Sequence, residues 1–420
     1  MIPVFGYAGE PPRAVRAETS SALPATPPQP AWLPSSGVPG ELVVFGPCSR
    51  VWLTSRRDDQ EVPVAAVADA GSGRVLALAH DGFVNRAADA PDGRTWFTSA
   101  VRWAAHTAAP HGPLRVALIG ARGATRALNA EEFKIIELNE PGTLASVDVV
   151  VAVGRLIAAG WIPSLAEHVE RGGGLIVAET AWSWDRAGRS LADHPVNRLC
   201  ARWGIVWTDE TCEPSPPEGF RPPKNATLVH ALHAFEALAR GNGLPDPGQA
   251  IAAVETAMRY LPDDDPILRP RFQSLLEAHP FDPPTASNPV RRTEALRRLA
   301  VTHATLRALS RPPAEMRALP GIEAFPGTTL ATAEHGRREL VLDVTADGWI
   351  STGLYVPAGE PVQLEVPAEL VAANLRARIG AHTDRLWHLA TWKRYPEVSL
   401  ERPVTSTVST VASPFGGLLY

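Results

Sequence analysis

Hydrophobic positions along this chain change period twice. From about residue 41 to 212, short apolar runs alternate with helical patterns. The runs are Leu42–Phe45, Val62–Val67, Arg74–Ala79, Leu114–Ile119, Lys134–Leu138, Val147–Val153 and Leu175–Ala178. Several are continuously apolar, as expected of strands buried on both faces of a parallel sheet. Helical patterns lie at Thr95–Ala105, Ile162–Glu170 and about Pro195–Trp203, and Gly172-Gly173-Gly174 closes the second. Alternation of this kind predicts a helix-flanked α/β domain. Glu213–Pro223 is Pro-rich and reads as a linker over 213–224.

From about 225 to 320 the period becomes 3.6. Leu228, Ala231, Leu232 and Phe235 share a face, as do Ile251, Val254, Met258 and Leu261. Ile267, Leu268, Phe272, Leu275 and Leu276 follow, then Leu296, Leu299, Leu306 and Leu309. Asp265 before Pro266 predicts a helix start. Four amphipathic segments imply a small helical bundle. The arginines between Arg291 and Arg298, interleaved with Leu and Ala, read as the solvated face of a helix. From 336 to 420 the period falls to 2: Leu340, Leu342 and Val344, then Val362, Leu364 and Val366, then Leu375, Ala377 and Ile379. This predicts the start of a β-sandwich, apparently incomplete, because the apolar end Gly416–Tyr420 looks like a strand interrupted. Residues 1–40, rich in Pro, Ser and Gly, read as a disordered leader.

Composition adds mainly exclusions. The 420 residues suggest about three domains. A net charge of -5 without clustered Lys/Arg gives no footprint for nucleic acid. No apolar run reaches the ~18 residues of a transmembrane segment. Met1–Glu10 lacks the pattern of a secretory signal, and localisation stays open because a misplaced start would hide one. Cys48, Cys200 and Cys212 form no CxxC pair; a Cys200–Cys212 bridge is the one pairing open to an exported chain.

The C-terminal stretch carries a resemblance. Trp349-Ile350-Ser351-Thr352-Gly353-Leu354-Tyr355 precedes Ile379-Gly380-Ala381-His382-Thr383-Asp384, then Trp392-Lys393-Arg394 and Pro414-Phe415-Gly416-Gly417-Leu418-Leu419-Tyr420. Their order and spacing resemble the opening of the catalytic module in enhancin-like, mucin-type zinc metallopeptidases, metallopeptidase family 60. Vertebrate relatives of that family are the channel-associated factors of a cold-sensing cation channel. Leu261–Pro266 and Asn288-Pro289-Val290 look like its bacterial members. Arg74–Phe83 is similar to the amidotransferase-like (flavodoxin-like) α/β domain that such proteins carry. Ala381 departs from the pattern, standing where the family suggests cysteine.

The resemblance implies peptidase chemistry on glycoproteins such as mucins, and that chemistry needs HExxH: two histidines on one helical face for zinc, with a glutamate as general base. None of the 12 histidines here is followed by Glu, and no two are four apart. The expectation is therefore a non-catalytic N-terminal portion, with zinc only in a downstream catalytic domain and no cofactor in this chain. A stand-alone glycoprotein-binding or scaffold protein is the alternative. His230 and His233, at i and i+3, read as exposed or capping residues rather than a metal pair. Amidotransferase chemistry needs a thiol on a strand-to-helix turn, and Gly154-Arg155-Leu156 after Val147–Val153 has none. Gly120-Ala121-Arg122-Gly123 lacks the spacing of a phosphate loop, and no GxSxG elbow exists. His382, Asp384, Trp387 and Trp392, with Trp182 and Trp184, are the candidates for glycan or partner contact, because tryptophan beside polar residues stacks on sugar faces. The alternative is that these tryptophans fill the core.

Overall fold

The computed structural model describes residues 26–27 and 37–420, apart from 90–91, 107–111, 139, 143, 185–190, 242, 278–280, 331, 344, 346–347 and 374. Most of the expected leader lies outside these residues.

A seven-stranded sheet organises the first half. Its strands are β2 (Ser49–Arg57), β3 (Gln60–Ala70), β4 (Gly73–Leu78), β5 (Leu114–Ile119), β6 (Phe133–Glu137), β7 (Val149–Val153) and β8 (Gly174–Ala178), in the order β2-β3-β4-β8-β7-β5-β6. β2, β3 and β4 pair antiparallel, while β4, β8, β7, β5 and β6 run parallel. Every residue of β4, β7 and β8 is buried, which is why their sequences lack alternation. Helices α1 (Gly82–Asn85), α2 (Gly93–Ala104), α3 (Trp161–Glu170) and α4 (Pro195–Cys200) accompany the sheet.

β1 (Gly40–Val44) and β9 (Ile205–Thr211) form a separate antiparallel ladder. β2 and β9 are not among the strands that the hydrophobic pattern predicts. In β2 only Val51-Trp52-Leu53 is apolar, flanked by Ser, Thr and Arg, and β9 ends on Thr208-Asp209-Glu210-Thr211. Gly204, at φ +76°, precedes β9; a Cβ there would lie 2.0 Å from Gly46, so this approach requires glycine. The Pro-rich segment after β9 is docked on the sheet: Thr54 N–H donates to the Arg221 carbonyl (2.8 Å), and Phe220 is buried against Phe83.

Helices α5 (Ala226–Val229), α6 (Ala231–Arg240), α7 (Pro247–Tyr260), α8 (Arg269–Glu277) and α9 (Ala295–Ser310) follow. Leu232, Phe235, Ile251, Val254, Met258, Phe272 and Leu299 share one core with Val43, Phe45 and Val206. The helices thus bury their apolar faces partly against the β1–β9 ladder, not only against one another. α8 starts at Arg269, later than Asp265-Pro266 predicts, although the Asp265 carboxylate accepts from the N–H groups of Leu268 (2.7 Å) and Arg269 (3.0 Å) as a cap would.

The last part contains four two-stranded ladders instead of two facing sheets. β10 (Val290–Arg291) pairs β14 (Thr391–Trp392), β11 (Tyr355–Val356) pairs β17 (Gly417–Leu418), β12 (Val362–Glu365) pairs β16 (Val408–Val411), and β13 (Arg376–Ile379) pairs β15 (Leu400–Pro403). A short helix, α10 (Ala368–Ala372), lies between β12 and β13. Leu340 and Leu342 belong to no strand; both are exposed, as is Val341 between them, so their alternation serves no core. Val344 lies outside the described residues. The apolar end is not a bare edge: Leu419 exchanges hydrogen bonds with Thr352 and Leu354, and Tyr420 with Arg378. The architecture is mixed α/β, with one large sheet and several small ones.

Candidate functional site

Ligands of open α/β sheets gather beyond the carboxyl ends of the parallel strands. Here β4 delivers His80 and Asp81 to that edge, β7 delivers Gly154 and Arg155, and β8 delivers Glu179 and Thr180. His194 arrives from the N-terminus of α4. Arg155 pairs with Asp81 at 3.1 Å, and Thr180 Oγ1 donates to the same carboxylate at 3.1 Å. Burial opposes ionisation of Asp81, but Arg155, His80 and Thr180 outweigh it and hold its carboxyl below the usual range.

Behind this pair, Glu179 and His194 are fully buried, with Oε2 3.9 Å from Nε2. Glu179 Oε1 accepts from the Thr180 N–H, while Oε2 makes no hydrogen bond among the described residues. His194 Nδ1 accepts from the Val196 N–H at 3.2 Å, so in the neutral ring the proton sits on Nε2, facing Glu179. Burial pushes the Glu179 carboxyl up to about 7, against the pull of Arg155.

Among the described residues no free nucleophile accompanies this acid–base pair. Gly154 occupies the strand-end turn, and a Cβ there would lie 2.6 Å from Glu179 Oε2. The Thr180 hydroxyl is committed to Asp81. Cys200 and Cys212 are buried free thiols, so no bridge joins them, and Cys48 is an exposed one. Burial pushes the Cys212 thiol up to about 12 and the Cys200 thiol higher still. Polar residues directly after fully apolar strands were the available signal for Asp81, Arg155 and Glu179; nothing in the sequence ties His194 to Glu179.

The candidate contact residues separate into two places. Trp182 and Trp184 stand beside the sheet-edge cluster. The Trp182 indole N–H donates to the Val38 carbonyl, and the Trp184 ring lies 4.3 Å from that of His194. Both are partly exposed. Trp387 and Trp392 instead pack perpendicular to each other, with ring centres 5.7 Å apart, in a core with Val290, Val301 and Phe415. Trp392 is wholly buried, and the Arg298 guanidinium covers its ring at 3.6 Å, so no face is left for a sugar. Arg298 is itself fully buried, correcting its placement on a solvated face. It reaches Glu255 at 2.8 Å and the carbonyls of Trp387 and Leu389 at 3.0 Å each.

Asp384 is exposed and bound by Arg394 at 2.5 Å. His382 is exposed at the wall of a cavity of about 910 Å³ between the helices and the last ladders. His230, expected to be exposed or capping, stands at the N-cap position of α6 but is buried and stacked on His233 at 4.0 Å; burial pulls its imidazole down to about 4. No set of three His, Cys, Asp or Glu side chains among the described residues is arranged to hold a metal ion. No helix among them is long and apolar enough to cross a membrane.

Comparison with known proteins follows the two ends of the chain. The family model for the N-terminal domain of M60-like peptidases matches residues 331–420. The TCAF model, described as "TRPM8, N-terminal domain", matches residues 32–219. Bovine TRPM8 channel-associated factor 2 is 26% identical over 419 residues, spanning 92% of this chain and 42% of that protein. Human TRPM8 channel-associated factor 1 is 27% identical over 289 residues, 62% of this chain and 30% of that protein. The chain therefore spans less than half the length of these relatives. Among solved structures, IMPa from Pseudomonas aeruginosa in complex with an O-glycopeptide aligns over 91% of this chain and 49% of its own, with a TM-score of 0.41 and 12% identity. Residues 331–420 are thus similar to the N-terminal domain of M60-like peptidases, and the chain is related to the TRPM8 channel-associated factors.

Proposed function

We propose that this chain is the non-catalytic N-terminal portion of an enhancin-like zinc metallopeptidase acting on glycoproteins such as mucins. It engages or positions the substrate, and zinc and hydrolysis belong to downstream sequence. The observation that carries this reading is a mismatch: a peptidase-type N-terminal domain matches residues 331–420, yet none of the 12 histidines is followed by glutamate. The sheet edge agrees with it. An amidotransferase-like α/β layer at 41–212 would need a thiol where Gly154 stands, and the space for one is taken by Glu179. In this reading 225–320 links that layer to the peptidase module begun at 336–420. Calorimetric titration with an O-glycosylated mucin peptide and its unglycosylated counterpart tests the proposal. Binding that requires the glycan supports it; equal or absent binding of both peptides refutes it.

A second reading, a stand-alone glycoprotein-binding or scaffold protein, is favoured by the size of the cavity beside His382. It predicts the same binding with no joined catalytic module in the complete protein.

A further inference from the structure

The cavity beside His382 is strongly basic in a chain of net charge -5. Arg259, Arg269, Arg307, Arg311, Arg385 and Arg402 reach its lining from α7, α8, the end of α9, the loop before β14, and β15. Asp263, Glu397 and Glu401 are the carboxylates that share the wall. They are engaged: Asp263 with Arg269 at 3.5 Å, Glu397 with Arg385 at 3.4 Å, and Glu401 with Arg376 at 3.5 Å.

Two arginines are left over. Arg311 makes no ion pair among the described residues. Arg402 is half-buried and donates from one Nη to the Leu309 carbonyl at 2.6 Å, and it makes no ion pair among the described residues. Burial pulls its guanidinium below the ordinary value, and no carboxylate counters the shift. A buried cation is costly unless something pairs with it.

We propose that this cavity binds an anionic oligosaccharide, its sulfate or carboxylate groups taken by Arg311 and Arg402. Guanidinium forks match the planar and tetrahedral oxyanions bidentately. A volume of about 910 Å³ is that of a site for a ligand of several rings. The chemistry of the wall selects the class. A helical peptide needs a continuous apolar groove, and here Met258, Leu306 and Leu309 are interrupted by Arg259, Arg307 and Arg311. A nucleobase needs an aromatic platform, and among the described residues no aromatic ring other than the imidazoles of His303 and His382 lines the wall. Hydroxyls of Thr383 and Ser310 remain for sugar oxygens. The inference deepens the glycoprotein reading, but its residues and its ligand charge are separately testable.

The test is calorimetric titration of the full chain with a heparin-derived hexasaccharide, with maltohexaose as neutral control and polyglutamate as an acidic peptide. The sulfated sugar binds, maltohexaose does not, and affinity falls as salt rises. Arg311→Ala and Arg402→Ala each weaken binding by about tenfold, the scale of one charge-assisted hydrogen bond. Arg311→Glu, on a partly exposed side chain, weakens it further without touching the core. Binding unchanged by Arg311→Glu overturns the assignment, as does polyglutamate binding as tightly as the sugar. If the mucin peptide binds with Arg311→Glu as without it, the glycoprotein reading stands and this one fails. If the sulfated sugar binds through Arg311 but no glycopeptide binds, the reverse holds.

Discussion

Arg298 lies 2.8 Å from Glu255 and is wholly buried, joining α9 to α7 beneath the residues that lead into β14. Burial pushes the Glu255 carboxyl up and the Arg298 guanidinium down, and each opposes the shift in the other. The same guanidinium covers the Trp392 ring. One side chain thus ties the helical segment to the last ladders, and breaking the pair strands a buried charge. Arg298→Met is expected to destabilise the protein by about 3–5 kcal/mol, and pairing it with Glu255→Leu to recover a large part. Urea unfolding midpoints of the single and double variants check this; a single variant within 1 kcal/mol of the parent (about the error of such a comparison) contradicts it.

Glu179 makes stability depend on pH in one direction. Its folded value, about 7, exceeds its ordinary 4.5, so its contribution is complete below 4.5 and is lost as pH rises through 7. Glu179→Gln should therefore gain on the parent from pH 4.5 to 7, by roughly 3 kcal/mol. Chemical denaturation at half-unit pH steps measures the difference, and parallel curves rule the buried carboxyl out.

His230 acts in the opposite sense. Its folded value is lowered from 6.5 to about 4, so its contribution is complete above 6.5 and is lost as pH falls toward 4. His230→Gln should gain on the parent as the solution is acidified through this window. An exposed imidazole, one of the two placements expected from sequence, predicts no such gain.

How much was legible follows from which residues have local signals. The parallel strands β4, β7 and β8 were readable because burial on both faces leaves continuous apolar runs. β2 and β9 were not, because polar and charged residues flank or end their apolar pattern. Arg298 shows the same limit at a single position. Helical spacing placed it among solvated arginines, and only the tertiary approach of Glu255 and Trp392 makes its burial tolerable. The candidate tryptophans divide likewise. Sequence cannot distinguish Trp392, sealed in a core, from Trp184, half-open beside His194. The Glu179–His194 pair and the arginine cavity join residues far apart in the chain, and no spacing rule announces either.

Thiol chemistry gives an independent check of the sheet-edge geometry. Cys48 is exposed, while Cys200 and Cys212 are buried with raised thiols. A disulfide-exchange reagent should titrate one of the three thiols rapidly under native conditions and all three in denaturant. Two fast thiols mean that α4 or the β1–β9 ladder opens.

Gly154→Ser introduces a hydroxyl at the strand-end turn and a Cβ against Glu179 Oε2. Overpacking of this kind costs about 1–3 kcal/mol, so loss of stability without any gain in esterase activity is expected. Hydrolysis of a chromogenic ester by this variant is inconsistent with the Glu179 geometry.

The central claim, engagement without cleavage, is tested most directly by mass spectrometry of an O-glycosylated mucin incubated with the chain and added zinc. No new peptide termini should appear, whether or not zinc is present. New termini that depend on zinc, and persist after removal of contaminating peptidase, contradict the claim.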